Sequence, residues 1–317
     1  MYRTDCLKKE SGNLFQTTIK PTAIYEHSVD MPSHLFNSGS RKADTEVSRH
    51  GAIRQAIAMM RSNFQNPLTL QEIASSVQFS SFHFNRIFRS ITGIPPSVYL
   101  AALRIEEAKK LLLRSNLSVT SICFDVGYNS LGTFTTRFTQ FVGATPTQFR
   151  QISRDDSLNL FVQQWNDLKT MLTLFQQHQG TRVIEGTIDV PEPFDGLIFI
   201  GLFTNPIPQS APTSCTVLAE PGRYSLPEPP DGKYYLFAAA VQRSESFLAL
   251  LEATSSLRCT RQQAISVQSG KVPQSIDLTL HAMSWTDAPI LIALPWLLIS
   301  RMTTSVPELV YAQEGGR

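Results

Sequence analysis

The stretch from Leu68 to Leu100, LTLQEIASSVQFSSFHFNRIFRSITGIPPSVYL, returns about 50 residues later as LSVTSICFDVGYNSLGTFTTRFTQFVGATPTQFR, Leu117 to Arg150. The second copy carries one extra residue. Leu68 aligns with Leu117, Ile73 with Ile122, Val77 with Val126, Phe79 with Tyr128 and Ser81 with Ser130; beyond the insertion Phe84 meets Phe134, Phe88 meets Phe138, Gly93 meets Gly143 and Pro96 meets Pro146. A chain built on such a repeat must fold as two equivalent supersecondary units in succession.

Each unit reads as helix, turn, helix. In the first, Thr69 with Glu72 forms a capping box, opening a short helix expected to bury Leu70, Ile73, Ala74 and Val77. A turn at Gln78–Ser80 follows, then a helix from about Ser81 to Ile91 whose Phe84, Phe88 and Ile91 form one apolar stripe. Gly93 and the prolines after it stop the helix. In the second unit Ser118 is the expected N-cap, Ile122, Cys123 and Val126 point inward, Gly127 makes the turn, and Phe134, Phe138 and Phe141 form the stripe. Between the units SVYLAALRIEEAKKLLLR, Ser97 to Arg114, is an amphipathic helix about 27 Å long. Such a rod can hold two helices about one turn of DNA apart, roughly 34 Å. A further helix is expected from Gly51 to about Phe64.

Charge follows the same boundaries. The whole chain has a net charge of +2, but between Arg49 and Ile152 eleven Lys and Arg stand against only Glu72, Glu106, Glu107 and Asp125. Residues 1–48 balance, and the acidic surplus lies after Ile152. A basic module joined to an acidic one suits a phosphate-bearing partner for the first.

Residues 49–152 resemble the DNA-binding domain of the AraC/XylS family of bacterial transcription regulators, through LTLQEIA, FSSFHFNRIFRSITGIPPSVYL, RIEEAKKLLL, VGYNSLGTFTTRF and GATPTQFR. The resemblance covers about a third of the chain and implies binding to the major groove of double-stranded DNA, with RNA polymerase as a further partner. On a recognition helix the stripe faces its own core and the opposite face meets base edges. In the first helix that face carries Ser81, Phe82, Asn85, Arg86 and Arg89. Arg86 can pair with guanine, Asn85 with adenine, and Phe82 can rest on a thymine methyl; the resemblance places base contacts at Phe82, Asn85 and Arg86. In the second, Leu131, Gly132, Thr135 and Thr136 hold the base-facing positions, where the family usually presents longer polar side chains. That helix is expected to read shape more than hydrogen bonds. Gln78 stands where the family commonly has glycine, while Gly127 keeps it. Phosphate contacts are assigned to Arg54, Arg61, Arg89, Arg104 and Arg137.

The expected organisation is a polar arm over 1–48, the DNA-binding domain over 49–152 with its units at about 68–93 and 117–143, a helical linker over 153–179 centred on Ser157–Gln177, and a β-domain over 180–317. The fold class is therefore an all-α tandem helix-turn-helix domain followed by a mainly antiparallel β-sandwich. The β-domain is read from short strands between closely spaced prolines, among them GTIDV, GLIFIGLF, GRYSL, GKYYLFAAAV and SIDLTL. Their pattern resembles the prealbumin-like or carboxypeptidase-regulatory sandwich, which implies no active site. By analogy with AraC-type regulators it should take a small-molecule effector or a dimer partner. Tyr224, Tyr234, Tyr235, Phe237, Trp285 and Trp296 are candidates for a pocket lining or for the core.

The remaining motifs argue against other classes. Cys6, Cys123, Cys215 and Cys259 are far apart and read as reduced thiols, and no HExxH, GxSxG or phosphate-loop pattern occurs. No enzyme activity, metal or cofactor is expected. The apolar run Pro289–Met302 is broken by Pro295 and is too short to span a membrane, and the N-terminus lacks the apolar core of a secretory signal, so a cytoplasmic location is expected. An architectural nucleic-acid binder with little sequence preference is the alternative, and an enzyme in the β-domain the more remote one.

Overall fold

A computed structural model of the chain describes residues 38–154, 183–191, 193–243, 251, 256–260, 264–268 and 275–294. The expected linker helix at Ser157–Gln177, Trp296 and Cys6 lie outside the described residues. Among the described residues seven helices precede eight strands: α1 (Ser38–Asn63), α2 (Leu70–Ser76), α3 (Ser81–Thr92), α4 (Pro96–Arg114), α5 (Val119–Asp125), α6 (Leu131–Val142) and α7 (Pro146–Ser153), then β1 (Val183–Asp189), β2 (Gly196–Phe203), β3 (Ser214–Leu218), β4 (Gly222–Pro227), β5 (Gly232–Gln242), β6 (Leu257–Thr260), β7 (Ile265–Val267) and β8 (Leu278–Thr279). α1 starts well before Gly51, inside the stretch read as a polar arm.

The repeat is visible cap by cap. Thr69 Oγ1 accepts from the Glu72 amide while Glu72 Oε2 accepts from the Thr69 amide, and Ser118 Oγ accepts from the Ser121 amide, so α2 and α5 start on matched signals. α3 and α6 are capped by Ser80 and Ser130 and end on Gly93 and Gly143, whose φ angles of 79° and 89° are left-handed. Ser130 is therefore the partner of Ser80, not of Ser81, and the extra residue of the second copy is Asn129, in the turn. An insertion there leaves both helical stripes in register. Within an α-helix it would turn every later side chain by about 100°.

Each stripe stacks its rings in the same way. Phe84, Phe88 and Tyr99 follow one another at centroid separations of 5.5 and 5.6 Å, and Phe134, Phe138 and Phe149 do so at 5.7 and 5.7 Å. All six are fully buried. Tyr99 and Phe149 hold the same place in α4 and α7, so α4 closes the first unit and opens the second. Ile73, Ala74 and Val77 are buried as expected, but Leu70 is 39% exposed. It is the first residue of α2, a turn ahead of the buried pair, at the end that stands clear of the core.

The β region forms a three-stranded sheet ordered β4-β1-β8 and a five-stranded sheet ordered β3-β2-β5-β6 with β7 also on β5. All pairings are antiparallel except β1 with β8. Ile184 and Ile188 of β1, Leu226 of β4, Ile198, Ile200 and Leu202 of β2, and Leu236 and Ala238 of β5 share one core between the sheets. Tyr224 and Tyr234 belong to this core, and their hydroxyls donate to the Ile276 and Pro230 carbonyls at 2.6 and 2.8 Å. These two aromatics are packing residues.

Every residue of β2 is buried. A strand covered on both faces reads as the unbroken apolar run GLIFIGLF instead of alternating. Its second face, Leu197 and Phe199, with Val241 of the paired β5, belongs to the same core as the helices. The apolar interior thus crosses the boundary that charge and texture suggested between 49–152 and 180–317.

The two turns differ at one position. Gln78 and Gly127 both have positive φ, 60° and 88°. A side chain pays of order 1–2 kcal/mol for that conformation, glycine nothing. Gln78→Gly is expected to raise the unfolding free energy by about 0.5–1 kcal/mol after the extra freedom of an unfolded glycine is counted. Gly127→Ala is expected to lower it by at least ~2 kcal/mol, because a Cβ there would sit 2.6 Å from the Gln65 carbonyl oxygen. Urea unfolding of the two variants beside wild type reads both.

Candidate nucleic-acid interface

The face of α3 opposite its stripe is open. Phe82 is 84% exposed, an unusual state for a phenylalanine on a helix whose other two phenylalanines are fully buried. Asn85, Arg86 and Arg89 are exposed beside it, and Ser81 is half-buried. Burying Phe84, Ile87 and Phe88 fixes the rotation of α3, so these outward positions follow from the stripe. His83 packs its ring edge-on to Phe79 at 5.1 Å, and Arg86 Nη2 stands 3.4 Å from His83 Nδ1. A guanidinium held one turn from the N-terminus of α3, beside an exposed aromatic and an amide, offers the donors and the apolar surface that base edges in a major groove match.

α6 presents a plainer face. Leu131 is 41% exposed, Gly132, Thr136 and Arg137 are exposed, and Thr135 is half-buried. Gly132 occupies the position that Phe82 has in α3, counted from the cap serines, and Thr136 that of Arg86. A Cβ on Gly132 would meet nothing nearer than Ser130 Oγ at 3.8 Å, so the surface there is open.

Of the arginines assigned to phosphates, Arg54, Arg61, Arg89 and Arg137 are exposed and Arg104 is half-buried. Arg104 also has partners within the chain: its Nε donates to the Phe64 carbonyl at 2.7 Å and its Nη2 to the Asn66 carbonyl at 2.9 Å, with the guanidinium 5.6 Å from the Tyr128 ring centroid. Its burial pulls its pKa below the usual arginine value. Arg104 fastens the segment before α2, just as Arg154 after α7 donates to Asn116 Oδ1 at 2.7 Å before α5. Arg54 and Arg61 are also engaged internally. The Arg54 guanidinium lies 4.9 Å over the Trp285 ring, and Arg61 Nη2 donates to Tyr99 Oη at 3.0 Å. Sequence periodicity could not show this, because the carbonyls and the tryptophan that hold these arginines are brought in by the turn before α2 and by the chain beyond β8.

Among the described residues no group of three or more His, Cys, Asp and Glu side chains could hold a metal ion, and no helix is long and apolar enough to cross a membrane. Among the described residues Cys123, Cys215 and Cys259 form no disulfide, and Cys123 is buried, its Sγ donating to the Tyr128 carbonyl at 3.9 Å.

A helix-turn-helix domain family model matches residues 58–152. The HTH-type transcriptional activator AarP of Providencia stuartii is 33% identical over 98 residues, which span 31% of this chain and 73% of that protein. The chain belongs to the AraC/XylS family. Other AraC/XylS-type relatives match the same part: the HTH-type transcriptional regulator ArgR of Pseudomonas aeruginosa, 33% identical over 35% of this chain and 33% of that one, and the melibiose operon regulatory protein of Escherichia coli, 28% identical over 38% and 40%. The chain thus spans between a third and two fifths of the length of these two relatives.

Removing the Arg104 side chain leaves the Phe64 and Asn66 carbonyls without their donor. Arg104→Ala is expected to cost about 1–3 kcal/mol of stability, measured by thermal or urea unfolding, while the salt dependence of DNA binding stays at the wild-type slope.

Proposed function

We propose that this protein is a sequence-specific transcription regulator that reads two adjacent major-groove segments of double-stranded DNA, with α3 and α6 as its recognition helices. The observation that carries the reading is the exposed face of α3, where Phe82, Asn85 and Arg86 project from a helix rotated into place by its own buried stripe. Family membership and the regulators among its relatives support it. Arg86 is the guanine-reading group, Asn85 the adenine-reading one and Phe82 the contact to a thymine methyl, with Ser81 at the edge of the set. α6 contributes Leu131, Gly132, Thr135 and Thr136, which follow groove shape, and Arg89 and Arg137 bind phosphates. The β region, 180–317, serves regulation through an effector or a second copy. The protein acts as a non-enzymatic factor in the cytoplasm, alongside RNA polymerase.

Selection of duplexes from a random pool by the full chain tests this reading. A single enriched motif with one strongly specified segment is expected, and a pool without enrichment would leave only the architectural reading. On the selected duplex, Arg86→Ala is expected to lose about 1–3 kcal/mol of discrimination at one base pair, whereas Arg137→Ala weakens all sequences alike and lowers the salt slope by about 1. Gel shifts on single-base variants at two or more salt concentrations separate the two effects.

A further inference from the structure

The two helix-turn-helix units are joined through α4, and the chain after β8 holds α1 and α4 beside the first unit and, at a separate point, the end of α6 in the second. On the first unit's side, the Trp285 ring lies under the Arg54 guanidinium at 4.9 Å and edge-on to His50 at 6.2 Å. The Asp287 carbonyl accepts from the buried Tyr99 hydroxyl at 3.2 Å, and that hydroxyl accepts in turn from Arg61. On the second unit's side, the Ala293 amide donates to the Val142 carbonyl at 3.2 Å. Beside it the Ser210 amide donates to the Gln140 carbonyl at 2.7 Å, and Gln140 Nε2 donates to Gln209 Oε1 at 2.9 Å.

Gln140 and Val142 belong to the last turn of α6, whose carbonyls have no helical amide to bind. The β region supplies two of the missing donors. Ser210 takes a left-handed φ of 59° where it does so, a conformation that a non-glycine residue holds only when its surroundings fix it. Among the described residues the matching carbonyls of α3, Ser90 and Thr92, receive no amide from the β region. The middle of the bridging segment is pinned as well: Arg258 of β6, only 4% exposed, donates from Nη1 to the Ala288 carbonyl at 3.0 Å, and Asp287 Oδ2 accepts from the Ser284 amide at 2.7 Å.

The geometry points to a specificity role for this segment: Ser284–Leu294, with the loop at Gln209–Ser210, is a brace that fixes the separation and rotation of α3 and α6 and so makes the protein selective for the spacing between its two half-sites. One inserted base pair moves a half-site by about 3.4 Å and turns it by roughly 35° about the duplex axis. A reader tied by α4 alone can follow by bending that helix. A reader pinned at α1, α4 and the end of α6 cannot. The positioning residues are Trp285 and Gln209, both remote from the base-facing sides of α3 and α6.

This inference rests on the DNA-reading function proposed above, and its test separates the two. The full chain first selects its duplex from a random pool; a pool without enrichment overturns both the reading and the brace. On the selected duplex, wild type is expected to lose roughly tenfold or more in affinity when one base pair is inserted or removed between the half-sites. Trp285→Ala and Gln209→Ala are each expected to shrink that loss to about threefold, with unchanged affinity for a duplex keeping only the α3 half-site. Trp285→Phe, which retains an aromatic face for Arg54, and Gln209→Glu, which retains an acceptor for Gln140, are expected to restore the wild-type pattern. If both alanine variants keep the wild-type penalty, or bind every duplex more weakly by one common factor, the brace is rejected.

Discussion

The outer face of the five-stranded sheet is buried in the same apolar core as the helices. Leu197 and Phe199 of β2 and Val241 of β5 reach that core with 8% or less of their surface exposed, and Val217 of β3 packs against it. Side chains of this kind contribute about 1.5–3 kcal/mol each when buried. The three buried ones alone amount to a large share of the 5–15 kcal/mol typical of a whole domain. The helical and β parts are thus held as one body by burial, and the polar contacts of Tyr99, Arg61, Asp287 and Arg258 set the register of the joint. A helical fragment cut after Ile152 would present to water the surface that now covers Leu197 and Phe199.

Within that body the two helix-turn-helix units are alike inside and unlike outside. Their aromatic triplets, caps and closing glycines correspond position for position, because the packing requirement of the repeat is the same in both. Their outward faces answer to no such requirement. α3 offers an exposed phenylalanine, an amide and a guanidinium, while α6 has Gly132, Thr135 and Thr136 at the matching positions. Bidentate hydrogen bonds discriminate bases, whereas small and apolar side chains register fit. On the proposed reading, recognition by one strongly reading helix depends on where the other is held, and the joint with the β region takes part in it.

The helical half was legible in the sequence because local signals and burial agree there. Thr69 with Glu72, Ser118, Gly93 and Gly143 mark the helix ends, and the four-residue spacing of Phe84 with Phe88 and of Phe134 with Phe138 marks the buried face. The placement of the extra residue was misjudged, since Ser80, Ser81 and Ser130 are chemically equal candidates for a cap and only the turn decides among them. The internal partners of Arg104 are hidden for a related reason: an arginine on an amphipathic helix looks the same in sequence whether or not its donors meet the carbonyls of Phe64 and Asn66. In the β half the strands were visible as apolar runs, but the second buried face of β2 was not assigned a partner. An unbroken apolar run states that both faces are covered without saying by what.

The central claim is that α3 and α6 address one face of the duplex as a fixed pair. Methylation and ethylation interference on the selected duplex, with the full chain, tests it most directly, since guanine N7 methylation blocks the major groove and ethylation blocks phosphate contacts. The account predicts strong guanine interference confined to the segment read by α3, and phosphate interference in two patches about one helical turn apart on the same face. Interference in a single patch, or on opposite faces of the duplex, would contradict it.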